Sequence, residues 1–426
     1  MRFSVNTQWM LLEQLVRTAT AFFVGIYVAR YLGLTQFGVL NYCMSIVVII
    51  TTLSRFGMDS ILTREISRTP HDLEKLRSSA ALMMFAAALV FSVACLLILY
   101  FSGAERTTLA YVSILLFMPV LQCLYVVDYQ FQAQQQAKIT SMIKAGGLLI
   151  GALVRIILVQ YDSGLFWIIA VSPLEYLLIG AAFALLNRNY VKQPIFRGAS
   201  LEYITSLARS AWPMVLSSLS TILYLRTDQL MIQHMLGPQE LGLYSAASKI
   251  YEGWVVIPFI LSAAALPRLV TQRKVSIAAY ERELCFLFSV VFWSGITVAL
   301  ICSIFSEFII RTSFGSAYLP SANVLGISMW AAAFSGLGSV SVRYFVTEGL
   351  ERLNLWRTVF ALALNVALNW ILIPIAGIEG AAISTLISLV SANFLLDFLD
   401  SRLRRLALIK CKAIVLYSLW NQEQKK

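Results

Sequence analysis

Charged side chains inside long apolar stretches are the residues of this sequence with the clearest chemical potential. Inserting such a group into lipid costs about 2.5–3.5 kcal/mol on insertion scales, so charges that are retained usually face a polar interior. Basic residues outnumber acidic ones among them. The set comprises Glu13, Arg17, Arg55, Lys144, Arg155, Glu175, Arg209, Arg226, Asp228, Lys249, Glu252, Arg343 and Arg357. An arginine surplus suits an anion, because the guanidinium group is a permanently charged donor fork that matches phosphate oxygens.

Five of these cations are our candidate substrate-binding residues, with phosphate as the expected group. They are Arg17, Arg55, Arg226, Lys249 and Arg343. Arg17 and Arg226 lie deep in the apolar stretches that begin the two halves of the chain. We therefore predict that these two arginines face one shared, water-accessible cavity.

Three carboxylates are candidate proton or sodium sites for ion coupling: Asp228, Glu252 and Glu13. Each has a structural alternative. Glu13 and Arg17 are four residues apart, and Lys249 and Glu252 are three apart, so either pair can neutralise itself on one helix face. Asp228 can instead pair with another helix.

Position near a helix end gives some cations a different explanation. Arg55, Arg209 and Arg357 lie near predicted cytoplasmic ends, from which a long side chain can snorkel to the interface. For Arg209 and Arg357 we expect snorkelling rather than a cavity role. For Arg343, both explanations stay open.

The elements that hold these residues are membrane spans. Of the 426 residues, 59% are hydrophobic and only 13% are charged, and the mean hydropathy is +0.76. A soluble core of this size cannot hide so much apolar surface, so the fold class is all-α integral membrane. A span takes about 20 apolar residues. The twelve predicted spans are 9–29, 37–57, 79–102, 107–127, 139–159, 165–186, 211–234, 243–265, 284–306, 322–346, 357–376 and 378–398.

The distribution of Lys and Arg predicts the orientation of these spans. With a cytoplasmic amino terminus, the outer loops contain only Arg30, Arg106 and Arg311, while the other loops and both tails hold many basic residues, among them Arg2, Lys192, Lys425 and Lys426. Short cytoplasmic loops retain positive charge, so both termini are predicted to be cytoplasmic. The net charge of +11 follows from this asymmetry. A nucleic-acid partner is not expected, because no soluble basic domain is present.

An internal repeat divides the chain. Two short loop patterns recur at one constant offset, and the same offset relates Arg64 to Arg268. The matching residues are Leu32, Gly33, Gln36, Phe37 and Gly38, then Leu236, Gly237, Glu240, Leu241 and Gly242. We therefore predict two parallel six-helix bundles, 1–200 and 201–400, and a basic cytoplasmic tail, 401–426, with an interfacial helix from 402 to 420.

Several kinds of chemistry find no support in the sequence. The six cysteines are scattered singly and only two histidines occur, so neither a metal site nor another cofactor is predicted. No GxxxxGK[ST] motif is present, so the chain is not expected to hydrolyse ATP. The predicted outer loops are a few residues long, which argues against an enzyme such as a membrane-embedded glycan polymerase or ligase.

The sequence resembles the polysaccharide flippases of the O-antigen type, within the multidrug, oligosaccharidyl-lipid and polysaccharide exporter superfamily. The residues that carry the resemblance are Ala29-Arg30-Tyr31-Leu32-Gly33, Gln36-Phe37-Gly38, Phe56-Gly57-Met58-Asp59 and Arg64-Glu65-Ile66, with Leu241-Gly242-Leu243-Tyr244-Ser245-Ala246-Ala247 and Pro267-Arg268 in the second half. These motifs are short, and they indicate the superfamily better than the cargo.

The resemblance implies two bundles that form a V around a central cavity open to each side in turn. It also implies a cargo, an oligosaccharide on undecaprenyl pyrophosphate such as an O-antigen unit of lipopolysaccharide, moved across a bacterial inner membrane. Polysaccharide assembly proteins are then expected partners. A multidrug or cation antiporter of the same superfamily is the alternative, although cationic cargo favours an acidic cavity.

Overall fold

The computed structural model describes residues 5–190 and 194–415, and all regular secondary structure in this part of the chain is helical. Helices suit lipid because they pair every backbone N–H and C=O group internally. The first helices are α1 (Val5–Arg55), α2 (Met58–Arg68), α3 (Leu73–Phe101), α4 (Arg106–Leu115), α5 (Phe117–Leu121), α6 (Val126–Ala133), α7 (Ala137–Gln160), α8 (Gly164–Tyr190) and α9 (Leu201–Met235). The others are α10 (Pro238–Val275), α11 (Ile277–Ile304), α12 (Ser306–Ser313), α13 (Ser321–Glu348), α14 (Glu351–Val390), α15 (Leu396–Leu399) and α16 (Arg404–Val415).

Nine helical stretches among the described residues are long and apolar enough to cross a membrane. Two of them, Gln8–Arg68 and Glu351–Leu399, contain 61 and 49 residues. A straight helix rises about 1.5 Å per residue, so each is far longer than one bilayer crossing. Gly33 and Gly377 break these stretches with non-helical backbone angles, so each provides two spans. With the more polar α9, the described residues form twelve crossings, and the span prediction is confirmed.

The turn glycines show the internal repeat in the backbone. Gly33 has φ 68° and ψ −178°, and Gly237, its predicted counterpart, has φ 94° and ψ −179°. Only glycine adopts this conformation without a steric penalty from Cβ. Positive-φ glycines also stand at the third and fifth turns of both halves, namely Gly103 and Gly315, then Gly164 and Gly377. The two halves therefore follow the same order of helices and turns, as the parallel repeat predicts.

The chain forms two compact units, Met1–Arg226 and Thr227–Lys426. In the first unit, the amphipathic α2 buries Met58, Ile61, Leu62 and Ile66 on one face, because apolar residues recur at helical spacing. The predicted domain bounds of 1–200, 201–400 and 401–426 stay a prediction.

In the second unit, small residues let helices approach closely. A Cβ atom at Gly295 of α11 would lie only 2.6 Å from the Cα atom of Ala333 in α13, so glycine is needed at this crossing. Gly336 similarly lies against Val291. Such contacts replace the hydrophobic driving force that lipid does not supply between spans.

Helix α16 occupies most of the stretch in which an interfacial helix was predicted. Its apolar residues Leu406, Ile409 and Ala413 belong to the core of the second unit, and Ser289 Oγ of α11 donates to the Ala413 carbonyl at 3.0 Å. The buried face of the helix therefore contacts protein. Residues 416–420 of the predicted helix lie outside the described residues, as do Arg2, Lys192, Lys425 and Lys426.

Candidate functional site

Arg17 and Arg55 lie around Tyr176 in the first unit. Arg17 is on the part of α1 that precedes Gly33, Arg55 is the last residue of α1, and Tyr176 is on α8. The Tyr176 hydroxyl is within electrostatic range of both guanidinium groups. Its ring packs on the ring of Tyr125, with 5.7 Å between centroids. Tyr129 of α6 acts electrostatically on Arg55 as well. We call Arg17, Arg55, Tyr125, Tyr129 and Tyr176 the arginine-tyrosine site.

Both arginines of this site are only partly neutralised. The Arg17 guanidinium bonds to the Gln14 amide and lies 3.9 Å from the Glu13 carboxylate, and its side chain is 51% exposed. With the Gln122 amide oxygen turned toward Arg55, that oxygen accepts from Nε at 2.6 Å and from Nη2 at 3.0 Å. Arg55 thus bonds to a neutral partner, and the Tyr129 hydroxyl and the Asp59 carboxylate interact with it electrostatically. Donor capacity for an anion therefore remains at both residues.

Glu13 belongs to a second cluster of the first unit. The Lys144 ammonium of α7 lies 3.0 Å from Glu13 Oε2 and 3.0 Å from Asp128 Oδ2 of α6. Glu13 and Asp128 are both buried. The predicted pair of Glu13 with Arg17 is present, but Lys144 is the closer cation. We call Glu13, Asp128 and Lys144 the lysine-bridged cluster.

Asp228 forms a cluster of a different kind in the second unit. Its carboxylate accepts from Tyr244 Oη at 2.7 Å, from Asn369 Nδ2 at 2.6 Å and from Thr385 Oγ1 at 2.5 Å. These donors are neutral, and they come from α10 and α14. Asn365 completes the group, since its amide bonds to both Asn369 and Thr385. We call these five residues the Asp228 cluster.

The Asp228 cluster is rich in oxygen atoms that a hard cation prefers. The carboxylate is buried, and buried charge is costly unless it is paired. Asn369 Oδ1 is buried and accepts no hydrogen bond. No group of three or more His, Cys, Asp or Glu residues able to hold a metal occurs in the described part of the chain. The donor set is therefore a carboxylate with amide and hydroxyl oxygens, which fits a monovalent cation or a proton.

The remaining predicted site residues lie on α9, α10 and α13. Arg226 is half-buried and precedes Asp228 by two residues on α9, while Lys249 and Glu252 are half-buried on α10. Glu252 and Asp228 both act electrostatically on the hydroxyl of Tyr251. The structure therefore brings one ion-coupling candidate, Glu252, toward another, Asp228.

Arg343 is a half-buried cation of α13 that is held by an aromatic face. Its guanidinium carbon lies 5.2 Å from the centroid of the Phe259 ring, and its Nε atom is buried without a hydrogen-bond partner. The ring contacts the face of the guanidinium and leaves its charge without a carboxylate partner among these contacts.

Two other charged residues of the sequence set neutralise one another. Arg155 of α7 makes a bidentate pair with Glu175 of α8, at 2.5 Å and 3.1 Å, and also bonds to Ser172. A Cβ atom at Gly151 would overlap the Glu175 carboxylate, so glycine makes room for the pair. Both Nη atoms of the guanidinium are paired with both oxygens of the carboxylate, which is typical of a structural ion pair.

The expectation that Arg357 snorkels to the interface is wrong. Arg357 is buried, donates from Nε to the Ala392 carbonyl at 2.8 Å and pairs with Asp397 at 3.6 Å. Ala392 lies within the π-helical turn Ser391–Leu395. Lys410 of α16 completes the group at 2.5 Å from Asp397. Arg209, by contrast, is exposed on α9.

Sequence reasoning missed the neutral members of these sites. Asn365 and Asn369 are two amides four residues apart in a charge-free apolar run, and that spacing alone marks a polar helix face. Tyr125, Tyr176 and Tyr244 carried no such signal, since isolated tyrosines are common in membrane helices. Their role depends on helices that meet only in the folded chain.

A family model described as polysaccharide biosynthesis protein matches residues 4–273. The chain belongs to this family. The matched region contains the arginine-tyrosine site and the lysine-bridged cluster. It also reaches Asp228 and Tyr244, whereas Asn365, Asn369 and Thr385 lie beyond it.

Solved structures of the same fold match nearly the whole chain. The lipid II flippase MurJ in an inward closed conformation has a TM-score of 0.74 at 13% identity, covering 95% of this chain and 90% of that one. An inward-facing multidrug resistance MATE family transporter of the MOP superfamily has a TM-score of 0.71 at 16% identity, with coverages of 96% and 97%. These TM-scores show that the fold is shared.

Two further comparisons concern one solved structure and one curated sequence. A MOP superfamily transporter from Pyrococcus furiosus, described by the reverse polarity of its binding pocket, has a TM-score of 0.57 at 14% identity, covering 95% of this chain and 93% of that one. A curated membrane protein of Methanocaldococcus jannaschii, described as uncharacterized, is 24% identical over 221 residues, or 52% of this chain. The chain spans about half the length of that relative, 51%.

Proposed function

We propose that this protein is a flippase, not an enzyme, that moves an undecaprenyl-pyrophosphate-linked oligosaccharide between membrane leaflets by alternating access. The family supports a role in polysaccharide biosynthesis, and the shared fold supports transport, because its solved members include a flippase and multidrug transporters. An O-antigen or similar repeat unit of lipopolysaccharide is the proposed cargo. The proposed direction is from the cytoplasmic to the outer leaflet.

The observation that carries this proposal is the contrast among the intramembrane cations. Lys144 and Arg155 each lie within 3.0 Å of a buried carboxylate, so their charges are used inside the protein. Arg17, Arg55 and Arg343 bond or stack mainly on neutral groups and keep free donor capacity. A phosphate-bearing cargo needs such donors, whereas a cationic drug is repelled by them.

The arginine-tyrosine site is the proposed position of the pyrophosphate. Arg17 and Arg55 would hold the phosphate oxygens, and the hydroxyl groups of Tyr125 and Tyr176 would donate to the same oxygens or to the first sugar. Arg226, Lys249 and Arg343 are proposed as later contacts along the path of the anion. A charge-assisted hydrogen bond contributes about 1.5–3 kcal/mol, so each lost donor weakens cargo binding by roughly tenfold or more.

Asp228 is the proposed ion-coupling residue. Its carboxylate is buried among neutral donors, so binding of a proton or a sodium ion from solution would neutralise it. When bound, the ion supplies the charge that the surrounding side chains lack. Asn365 and Asn369 would turn amide oxygens toward a sodium ion, whereas a proton would need only an acceptor. Glu252 and Glu13 stay predictions as coupling residues.

The proposed setting is a bacterial inner membrane with both termini in the cytoplasm. The predicted surplus of Lys and Arg on one side supports this orientation. Polysaccharide assembly proteins are the proposed partners, since a flipped repeat unit must be consumed on the far side. Reporter fusions at Ser102, Asp162 and Gly315 should report the outside, and a fusion at Gly198 the inside.

Complementation of a strain that lacks its own lipid-linked glycan flippase tests the proposal, with surface glycan as the readout. We expect the Arg17→Ala, Arg226→Ala double variant to lose most surface glycan at normal membrane levels. Arg209→Ala is the matched control, because Arg209 is an exposed arginine on α9, and it should keep full activity. Full surface glycan from the double variant would contradict the proposal, and drug resistance without glycan export would favour the multidrug antiporter.

A further inference from the structure

The lysine-bridged cluster joins three helices of the first unit through one ammonium group. Lys144 Nζ lies 3.0 Å from Glu13 Oε2 on α1 and 3.0 Å from Asp128 Oδ2 on α6. Gln132 also donates to Asp128 Oδ2, at 3.0 Å. The ammonium therefore stands between two carboxylate groups that are distant in sequence.

Burial makes the charges of this cluster interdependent. Asp128 is 3% exposed, and its second oxygen, Oδ1, has no hydrogen-bond partner. Glu13 is 8% exposed. Two carboxylates this deeply buried cannot both stay ionised without a cation between them. Arg17, at 3.9 Å from Glu13 and half exposed, is too far out to replace Lys144.

The Asp228 cluster shows what such a site looks like without an internal cation. Its carboxylate is surrounded by hydroxyl and amide donors from Tyr244, Asn369 and Thr385. In the lysine-bridged cluster, a side chain of the protein already provides the positive charge. Lysine suits this task because its ammonium is a compact charge on a flexible stem.

We propose that Lys144 is a built-in cation of the first unit, whose ammonium occupies the position between Glu13 and Asp128 that a monovalent cation would otherwise fill. Glu13 and Asp128 then need no ion from solution, so this inference stands against the sequence-based prediction that Glu13 is an ion-coupling residue. The inference concerns Lys144 and does not depend on which cargo the protein moves.

Removal of the ammonium tests this inference on purified full-length protein. Lys144→Met keeps the length of the side chain and leaves two carboxylates together. In weakly alkaline choline chloride, which offers no small cation to take the place of the ammonium, we expect the Tm to fall by at least about 5 °C relative to the parent. Sodium chloride at equal ionic strength should restore at least half of that loss.

The test is run in an Asp228→Asn background, so that sodium at the Asp228 cluster does not contribute. Lys138→Met is the matched control, because Lys138 is an exposed lysine on the same helix, α7, and it should respond equally to both salts. Adding Glu13→Gln to Lys144→Met removes one of the two negative charges. We expect that double variant to regain stability in choline and to lose the sodium response.

Two results would overturn the inference. The first is a Lys144→Met protein with the same Tm in sodium and in choline. The second concerns the case in which Lys144→Met does not accumulate in the membrane. We then expect the charge-reduced variants Glu13→Gln/Lys144→Met and Asp128→Asn/Lys144→Met to recover normal levels. If neither variant recovers, the inference is overturned, because the lysine is then needed for packing and not for its charge.

Discussion

Asp228 and Asp128 are both buried acidic residues on membrane helices, yet their partners differ in charge. Asp128 lies 3.0 Å from the Lys144 ammonium, whereas Asp228 accepts hydrogen bonds from a tyrosine, an asparagine and a threonine. A carboxylate with an internal cation is complete, while one with neutral donors gains from an added proton or ion. The comparison teaches that two equally buried acids can differ in the charge of their neighbours, and this difference is the basis for proposing Asp128 as structural and Asp228 as exchangeable.

Asp397 provides a further case of the structural kind. It is fully buried between two cations, with Lys410 at 2.5 Å and Arg357 at 3.6 Å. Arg357 also donates to the Ala392 carbonyl, within the π-helical turn. The group ties α16 to α14, so its purpose is to hold the end of the second unit together.

The largest effect is expected for Asp397→Asn. The change leaves Arg357 and Lys410 buried together without an anion, and breaking a buried ion pair in this way costs about 3–5 kcal/mol. We expect a large fall in Tm and in the amount of protein in the membrane, measured by fluorescence size-exclusion after heating. If the Asp397→Asn protein were as stable as the parent, Asp397 would not be a structural acid, and its contrast with Asp228 would be lost.

Asp228→Asn should separate stability from transport. The amide keeps much of the hydrogen bonding but cannot bind a proton or a cation, so we expect a transport rate at least tenfold lower with little change in Tm. Surface glycan formation and the sodium dependence of Tm are the two measurements. If sodium raises the Tm of the parent and a change of pH does not, the coupling ion is sodium. The reverse result indicates a proton. Normal transport by Asp228→Asn would rule out coupling at this residue.

Arg17→Lys should have a smaller effect than Arg17→Ala. Lysine keeps the positive charge near Tyr176 but loses the planar donor fork, so we expect a loss of less than tenfold in cargo binding. Surface glycan at matched expression measures the difference. Equal defects in the two variants would show that the fork, and not the charge, is what the site requires.

The smallest effect is expected for the contribution of Lys410 to the pH dependence of stability. Burial and the neighbouring Arg357 lower the pKa of Lys410 from 10.5 to about 7. Between these values the unfolded chain binds the proton more strongly than the folded chain, so this group makes stability rise with pH from about 7 toward 10.5. Lys410→Met should flatten the rise by a few degrees in Tm. If Lys410→Met and the parent show the same dependence of Tm on pH, Lys410 stays charged beside Asp397.

The positions of the twelve spans could be predicted from the sequence, because each depends on the summed hydropathy of one local segment. About 20 consecutive side chains decide whether a segment enters lipid, and no distant residue changes that sum much. The same locality made the turn glycines Gly33 and Gly237 recognisable as a repeat. The charged residues of the candidate site were likewise visible, because charge is rare in such a composition.

Only the tertiary structure decided which charge meets which partner. Asn369 bonds to Asp228 across 141 positions of the chain, and Lys144 meets Glu13 from another helix. Such pairs depend on how helices rotate and pack, which small residues such as Gly151 and Gly295 set through close contacts. The sequence by itself determined the spans and the surplus of intramembrane arginine. Packing determined which of those charges are neutralised within the protein, because pairing is a property of facing helices and not of neighbours along the chain.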